Sequence, residues 1–258
     1  MDLNLIGKSA LVCGSSQGIG LASAQELALL GADVTLLARN EQSLNLALAT
    51  LDVSKDQHHK ILVADFADNQ AVRDLLAADN QYHILVNNTG GPPAGQAIDA
   101  NEDEYLQAFS NHLINNQILA KAVTHFMRAE GYGRIINIIS TSVKAPIPGL
   151  GVSNTIRGAV NSWSKTLANE LGQLGITVNN VLPGATSTVR LSSIIENKAT
   201  KLNKSIAEIE KAMVAEIPAK RFAEASEVAS AVAFLAAPAA GYINGVSIAV
   251  DGGRTGCL

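Results

Sequence analysis

Charged and aromatic residues are scarce in this chain, and it has no long apolar run. Charged residues make up only 16% of its 258 residues and the formal net charge is −4, so no basic cluster is available to follow nucleic-acid phosphates. No apolar run approaches the roughly 20 residues that span a bilayer, and no basic and then apolar segment opens the chain. These absences argue against nucleic-acid and membrane partners and favour a cytoplasmic protein.

Cysteine is scarce as well. Cys13 lies in an apolar run and Cys257 next to the end, and two such residues make neither a disulfide framework nor a zinc site. We therefore predict a reducing compartment and no metal site. A chain of this length fits a single large α/β domain spanning residues 1–258.

The N-terminal segment joins an apolar run to closely spaced glycines. Residues 11–13 lead into Gly14, Gly18 and Gly20, a helical pattern follows over 18–30, and a second apolar run occupies 32–38. Glycines at such a turn leave backbone N–H groups open at the positive end of a helix, where a pyrophosphate can approach. The residues after Gly20 are not the Lys and Ser or Thr of a nucleoside triphosphatase loop. The pattern therefore predicts a dinucleotide-binding βαβ unit.

Short apolar runs and helical patterns alternate along the rest of the chain. We predict further strands at 60–64, 83–87, 134–139, 176–181 and 246–250, and helices at 69–78, 102–128, 154–171 and 226–236. Continuous apolar strands are typical of a parallel sheet that is covered on both faces. The expected fold is a single-domain, Rossmann-like, doubly wound α/β sandwich with a seven-stranded parallel sheet and helices on both faces.

One long excursion, at about 186–216, interrupts this alternation. It begins with polar residues, and Ser205 and Glu208 are spaced as a capping box that opens a short helix through Met213. We interpret the insertion as a helical lid over a substrate, with a plain surface helix as the alternative.

Residues just beyond the strand ends carry a family resemblance, because ligands of doubly wound sheets bind at that edge. They resemble the short-chain dehydrogenase/reductase family along essentially the whole chain. The resemblance implies an NAD(P)-dependent oxidoreductase that forms a homo-oligomer, commonly a homotetramer, with a dimer as the alternative. The residues that carry it are Gly14, Gly18, Gly20, Asp65, the run 87–90, Ser140, Pro183, Gly184, Thr188 and the run 251–253.

The resemblance also implies roles for individual residues around the cofactor. Cys13 and Thr89 depart from it, because the family usually has Thr and Ala at these positions. Carried over by position, the pyrophosphate is held by Gly14, Ser16, Gln17, Gly18, Ile19 and Gly20, adenine is bracketed by Asp65 and Phe66, the adenosine and nicotinamide side is lined by Asn88 and Gly90, and the carboxamide is oriented by Pro183, Gly184 and Thr188.

The residues at the end of the second predicted strand indicate whether the protein prefers NAD(H) or NADP(H). An NAD-dependent enzyme normally has an acidic residue there for the ribose 2′-hydroxyl, whereas here Arg39 stands about 20 residues beyond the glycine turn. A guanidinium pairs with a 2′-phosphate, so NADP(H) is favoured over NAD(H). The alternative is a solvated arginine at a helix start, and Glu41 close by favours NAD(H).

The expected catalytic centre departs from the family, which uses Asn, Ser, Tyr and Lys. Ser140 matches the serine, but Ser153 stands at the Tyr position and Arg157 at the Lys position. The Asn position falls on His112, with a packed histidine as the alternative reading. Together with Gly-Gly-Pro-Pro at 90–93, this looks like a divergent subgroup related to β-ketoacyl carrier-protein reductases, with Ser-x-x-x-Arg in place of Tyr-x-x-x-Lys.

The missing tyrosine leaves the proton source open. A serine hydroxyl is a poor acid at pH 7, and loss of a placed general acid costs about 10²–10⁴ in rate. The candidates are a water held by Ser140 and Ser153, then Lys144 on the following loop, then His112. For Lys144 the alternative is an exposed loop residue.

Two functions therefore compete. The first is an NADP(H)-linked oxidoreductase that acts on a small-molecule or acyl-carrier-linked carbonyl, or on the matching secondary alcohol, and Arg157 with Lys144 would suit an anionic substrate. The second is a catalytically silent nucleotide-binding sensor or pseudoenzyme subunit. Non-redox chemistry on a sugar or acyl group is a minor third reading.

Overall fold

Apolar strand residues enter two different cores, which explains why the strands read as continuous apolar runs. In the computed structural model, which describes residues 1–257, Ala10 and Val12 of the first strand, β1 (Ser9–Cys13), pack in one core, while Leu11 and Cys13 pack in the other. Alternate residues of a strand point to opposite faces, so a strand covered on both sides is apolar at every position. Burial raises the pKa of the Cys13 thiol, which is free.

Seven parallel strands form one sheet in the order β3-β2-β1-β4-β5-β6-β7. The predicted Rossmann-like fold is confirmed. The strands are β1 Ser9–Cys13, β2 Asp33–Ala38, β3 Lys60–Val63, β4 Ile84–Asn87, β5 Gly133–Ile138, β6 Ile176–Pro183 and β7 Ser247–Val250.

Helices cover both faces of the sheet. Apolar residues of α1, α2 and α9 pack in the core on one face, and those of α3, α5 and α6 pack in the core on the other. The helices are α1 Gly18–Leu29, α2 Glu41–Leu48, α3 Asn69–Ala78, α4 Glu102–Phe109, α5 Asn115–Ala129, α6 Gly151–Leu171, α7 Val189–Leu202, α8 Ile206–Ala215 and α9 Ala225–Ala236.

The helices of the structure differ from the predicted ones in three places. The helix expected over 102–128 is divided by a π-helical turn at Ser110–Ile114, and wider turns of this kind are frequent at functional sites. The helix expected from 154 begins at Gly151, and α2 was not predicted at all. No helix among residues 1–257 combines the length and the apolar character needed to cross a membrane.

The segment 186–216 contains two helices, α7 and α8, rather than one short helix after an irregular stretch. Leu191 and Ile195 of α7 pack against Ile209 of α8 in a small core of their own. The predicted capping box is confirmed, since Ser205 Oγ accepts from the N–H of Glu208 and the Glu208 carboxylate accepts from the N–H of Ser205. This segment therefore has its own packing and stands beyond the carboxyl end of β6.

Candidate active site

The three glycines between β1 and the first turn of α1 cannot be replaced by larger residues without strain or a clash. Gly14 and Gly18 both have φ of +58°, in the left-handed region that favours glycine. A Cβ on Gly20 would lie 2.2 Å from the carbonyl oxygen of Gly14, which is backbone and cannot move aside. The loop thus presents bare backbone where the sequence pattern predicts a phosphate site.

The start of α1 is open to an anion. Its N-cap, Gln17, makes no side-chain capping bond, and the first turn carries no acidic residue, so first-turn N–H groups remain available. Beside it, Ser15 Oγ accepts from the N–H of Leu37 at 3.0 Å and ties the loop to β2. Bare glycine backbone and free N–H groups at a helix start fit the pyrophosphate of a dinucleotide.

Asn88 and Thr188 close the loop from its two sides. The Asn88 amide donates to the carbonyls of Cys13 and Gly14, each at 3.2 Å, so its side chain holds the loop in place. Thr188, the N-cap of α7, stands next to Gly18, whose Cβ would lie 3.5 Å from the threonine methyl. The ends of β1 and β4 and the start of α7 therefore meet here, at the point where the sheet order reverses.

The residues expected around adenosine lie at the ends of β2 and β3. Arg39 is exposed, and among residues 1–257 its guanidinium makes no hydrogen bond or ion pair. The neighbouring Asn40 caps α2 by accepting from the N–H of Ser43 at 2.8 Å. Asp65 is exposed, whereas Phe66 is half-buried and packs partly against the second core.

The side chain of Ser140 accepts one hydrogen bond and donates none to residues 1–257. Its Oγ accepts from the backbone N–H of Ser142 at 3.1 Å, at the start of a short 3₁₀ turn over Thr141–Val143. The hydroxyl proton is therefore free for another oxygen, since a serine has one donor and two acceptor positions. Ser140 lies two residues beyond β5, at the edge of the sheet that carries the glycine loop.

Arg157 reaches the same strand end from α6. Its side chain is only 8% exposed, and Nη1 donates to the carbonyl of Ile138, the last residue of β5, at 3.0 Å. Burial, and then the charge of Arg190, lower the pKa of Arg157 to about 10, so the guanidinium stays charged at neutral pH. Ser153 lies one turn earlier on α6, is half-buried, and makes no side-chain hydrogen bond to residues 1–257.

His112 lies on the π-helical turn and pairs with Thr89. Its Nδ1 is 2.5 Å from Thr89 Oγ1, and the residue is only 3% exposed. Burial, and then the charge of Arg157, lower the pKa of His112 to about 3, so the imidazole is neutral above pH 5. A neutral, hydrogen-bonded imidazole is a poor proton source. Thr89, its partner, lies two residues beyond β4, so His112 is at the same end of the sheet as Ser140.

Lys144 is exposed on the loop after Ser140, and none of its side-chain atoms bonds to residues 1–257. All four tyrosines lie within the described chain, and no tyrosine hydroxyl bonds to Ser140, Ser153 or Arg157. Tyr242 is fully exposed. The other three donate elsewhere, Tyr82 to Asp79, Tyr105 to the carbonyl of Ala97, and Tyr132 to the carbonyl of Ala236.

A buried row of polar side chains fixes α6 against the sheet. Asn87, Asn137 and Asn180 occupy one rung across β4, β5 and β6, and each amide donates to the next at 2.8 and 2.9 Å. Asn180 then donates to Asn161 of α6 at 3.1 Å. Asn161 lies one turn beyond Arg157, so this row sets how far along the sheet the arginine and the preceding Ser153 are placed.

Arg190 is a site residue that sequence reasoning missed. It lies in the first turn of α7, and its Nη2 donates at 2.8 Å to the carbonyl of Pro92, in the loop after β4. A cation in the first turn opposes the helix dipole, and such a conflict with a local rule is a mark of functional sites. That conflict was the available signal.

A family profile described as Enoyl-(Acyl carrier protein) reductase matches residues 14–255, nearly the whole chain. A 3-oxoacyl-[acyl-carrier-protein] reductase from Haemophilus influenzae is 34% identical over 252 residues, 96% of this chain and 98% of that protein. The chain belongs to the short-chain dehydrogenase/reductase family. The family resemblance predicted from the strand-end residues is thereby confirmed.

Solved structures of the family share the whole fold. L-Sorbose reductase from Gluconobacter frateurii, solved with NADPH and L-sorbose, superimposes with a TM-score of 0.93 at 29% identity and covers 100% of both chains. An actinorhodin polyketide ketoreductase with NADPH gives a TM-score of 0.90 at 30% identity, covering 97% of this chain and 98% of that one. Relatives with these names act on different substrates, so the substrate of this chain must be argued from its own site.

Proposed function

We propose that this protein is an NADP(H)-dependent oxidoreductase that interconverts a carbonyl and a secondary alcohol at a non-standard active site. The observation that carries the proposal is that a Ser140 hydroxyl with a free proton and the buried Arg157 guanidinium both lie at the end of β5. This edge of the sheet also carries the bare glycine loop. Family membership and NADPH in two solved relatives support the same reaction class.

Binding of the cofactor falls to two regions of the chain. The glycine loop and the open start of α1 would hold the pyrophosphate, and exposed Arg39 would pair with the 2′-phosphate of NADP(H). Asn88 positions the loop rather than offering its amide to the ligand, because that amide already donates to two carbonyls. When bound, the reduced cofactor supplies the hydride.

We assign the remaining roles, in polarising the carbonyl and stabilising charge, to side chains near the strand ends. Ser140 donates its free proton to the substrate oxygen and polarises the carbonyl. Arg157 holds a positive charge beside that oxygen and does not exchange protons at neutral pH. Ser153 occupies the position where the family has tyrosine and is too weak an acid to replace it.

We infer that water supplies the proton, held between Ser140 and Ser153. His112 is neutral and hydrogen-bonded to Thr89, and Lys144 is exposed on its loop. Both groups rank below water for these reasons. The segment 186–216 would act as a lid, since Arg190 near its start already bonds to Pro92 in the loop after β4.

We propose that the lid is part of a single domain over residues 1–258. By analogy with the family, we expect the active protein to be a homo-oligomer, either a tetramer or a dimer. Its substrate would be a small-molecule or carrier-linked carbonyl.

The test is NADPH oxidation over a panel of ketones and NADP⁺ reduction over the matching alcohols. Ser140→Ala is expected to lower kcat by about 10²–10³, the usual cost of removing one donor to a developing oxyanion. Ser230→Ala, an exposed serine on α9, is the matched control. Turnover that Ser140→Ala leaves unchanged would exclude this site.

A nucleotide-binding sensor without turnover is the second candidate. It is favoured by one observation, that no tyrosine hydroxyl of the described chain bonds at Ser140, Ser153 or Arg157. It predicts NADPH binding with no measurable oxidation of the cofactor by any carbonyl. Robust turnover by the native protein would rule out a sensor function without catalysis.

A further inference from the structure

Arg157 is a buried cation without a counter-charge among residues 1–257. The ion pairs formed within that part of the chain all involve other side chains, and a single guanidinium donor of Arg157 bonds to protein, to the carbonyl of Ile138. A guanidinium has five N–H donors, and buried charges are normally paired. Its other Nη nitrogen points towards Gly91, in the loop after β4.

A second guanidinium reaches the same point. The Nη2 atoms of Arg157 and Arg190 each lie 3.7 Å from the position that a Cβ on Gly91 would take. The two nitrogens are therefore no farther apart than twice that distance, which a carboxylate or phosphate can bridge. Arg190 is exposed and donates to the carbonyl of Pro92, so it is held in place without being neutralised.

We infer that Arg157 and Arg190 form a receptor for a carboxylate or phosphate group carried by the carbonyl substrate, beside Gly91. This inference rests on the proposed function for the identity of the reacting group. Two converging guanidiniums form charge-assisted, forked hydrogen bonds with such an anion, and the start of α7 adds positive potential. The sequence suggests Lys144 as the second cation, but it is the Arg190 guanidinium that lies beside Gly91 together with that of Arg157.

The receptor narrows the substrate class. Arg157 bonds to Ile138, and Ser140 is only two residues farther along, within roughly 7 Å of extended chain. The anion and the carbonyl must therefore belong to one short molecule. A thioester-linked acyl chain carries no charge near its carbonyl, so the site favours a free oxo acid over a carrier-linked acyl group.

Binding of malonate, a non-reacting dicarboxylate, tests the receptor without turnover. Titration calorimetry in the absence of cofactor should show saturable binding to the native protein. Arg190→Gln should weaken that binding at least tenfold, and Arg190→Lys should weaken it less. Lys198→Gln, an exposed cation on the same helix, should leave it unchanged. Absent binding, or equal binding by Arg190→Gln, would overturn the inference.

Kinetics with acetoacetate and methyl acetoacetate compare the same carbon skeleton with and without charge. The native protein should prefer acetoacetate in kcat/KM, and Arg190→Gln should reduce that preference about tenfold or more. Equal kcat/KM for both probes, or a preference that Arg190→Gln leaves intact, would count against the receptor. Absence of turnover with every carbonyl would refute the proposed function alone, because malonate binding does not depend on it.

The cofactor is the other possible source of an anion. NADPH affinity should be the same in Arg190→Gln and in the native protein. If Arg190→Gln lost NADPH affinity and retained malonate binding, the arginine pair would belong to the cofactor, and the inference would be wrong.

Discussion

His112 Nδ1 lies 2.5 Å from Thr89 Oγ1, and both residues depart from what the family resemblance implies at their positions. Alanine at 89 would leave the imidazole without this partner, in a place where only 3% of the residue is exposed. The two unusual residues, Thr89 and His112, therefore complement each other through this hydrogen bond. The histidine needs a hydroxyl, and the threonine supplies it.

The buried His112 should make the protein sensitive to acid. Its pKa is about 3 in the folded state against 6.5 in its ordinary range, so below pH 6.5 the unfolded chain binds a proton that the folded chain does not. Stability therefore falls as the pH falls, by about 2 kcal/mol between pH 7 and pH 5. Urea denaturation at the two pH values should show that His112→Gln loses about 2 kcal/mol less than the native protein.

The control for this prediction is His58→Gln, an exposed histidine on the loop before β3. It should lose as much stability as the native protein over the same interval. Equal losses by His112→Gln and the native protein would mean that His112 is protonated in the folded state.

A water proton source should leave the rate insensitive to pH. Neither His112, with a pKa of about 3, nor Arg157, with a pKa of about 10, changes charge between pH 6 and pH 9. We expect a flat profile of kcat over that range, measured with saturating NADPH and ketone. A bell-shaped profile with an inflection near neutral pH would point to a titrating side chain instead.

Restoring the family's acid should raise the rate. Ser153→Tyr combined with Arg157→Lys places a phenol and an ammonium one turn apart on α6, and the expected gain in kcat is up to about 10²–10⁴. Ser153→Phe with Arg157→Lys fills the same space without a hydroxyl and should give no gain. Equal rates for the two double variants would show that the phenol is not what this site lacks.

Arg39 should decide the cofactor. Arg39→Gln is expected to weaken NADPH binding by about 10–100-fold, the range for one charge-assisted hydrogen bond, and to leave NADH binding nearly unchanged. Cofactor fluorescence titration measures both affinities. Arg73→Gln, an exposed arginine on α3, is the control and should change neither. An equal effect of Arg39→Gln on the two cofactors would assign Arg39 no role in selectivity.

Gly20 should not tolerate alanine. The new Cβ would meet the carbonyl of Gly14 at 2.2 Å, so the loop must deform, and NADPH should bind about 10–100-fold more weakly. In Gly158→Ala, within α6, the Cβ meets nothing within 4 Å, and higher helix propensity should stabilise the protein by about 0.5–1 kcal/mol. NADPH titration and urea denaturation of both variants check the pair. An unimpaired Gly20→Ala would mean that the loop does not hold the cofactor in this form.

Much of the fold was predictable because the spacing of apolar residues along the chain differs between buried strands and amphipathic helices. The helix over 69–78 was predicted to the residue, since Asp68 caps it and a strongly amphipathic face follows. The π-helical turn at His112 was not predictable, because a single wider turn leaves the apolar pattern on both sides intact. Helix α2 was missed because it has only two buried positions, Leu44 and Ala47, and so a weak apolar stripe.

In the candidate site, too, local features were predictable from the sequence, whereas contacts between distant segments were not. The glycine loop is a local feature that the sequence reveals, whereas the guanidiniums of Arg157 and Arg190 come near each other only at Gly91, in the loop after β4. The hydrogen bonds of Asn88 were not predictable for a related reason. Its amide is turned to the carbonyls of another strand, which no local pattern reports.

The amides of Asn87, Asn137 and Asn180 bond side chain to side chain, which has a consequence for folding. A strand that docks one residue out of step would move its amide to the opposite face and strand a neighbour's polar group in an apolar interior. Pairings of these strands that are out of register are thereby disfavoured. The three asparagines thus help to fix the strand register, and through Asn161 the same row fixes the position of Arg157 on α6.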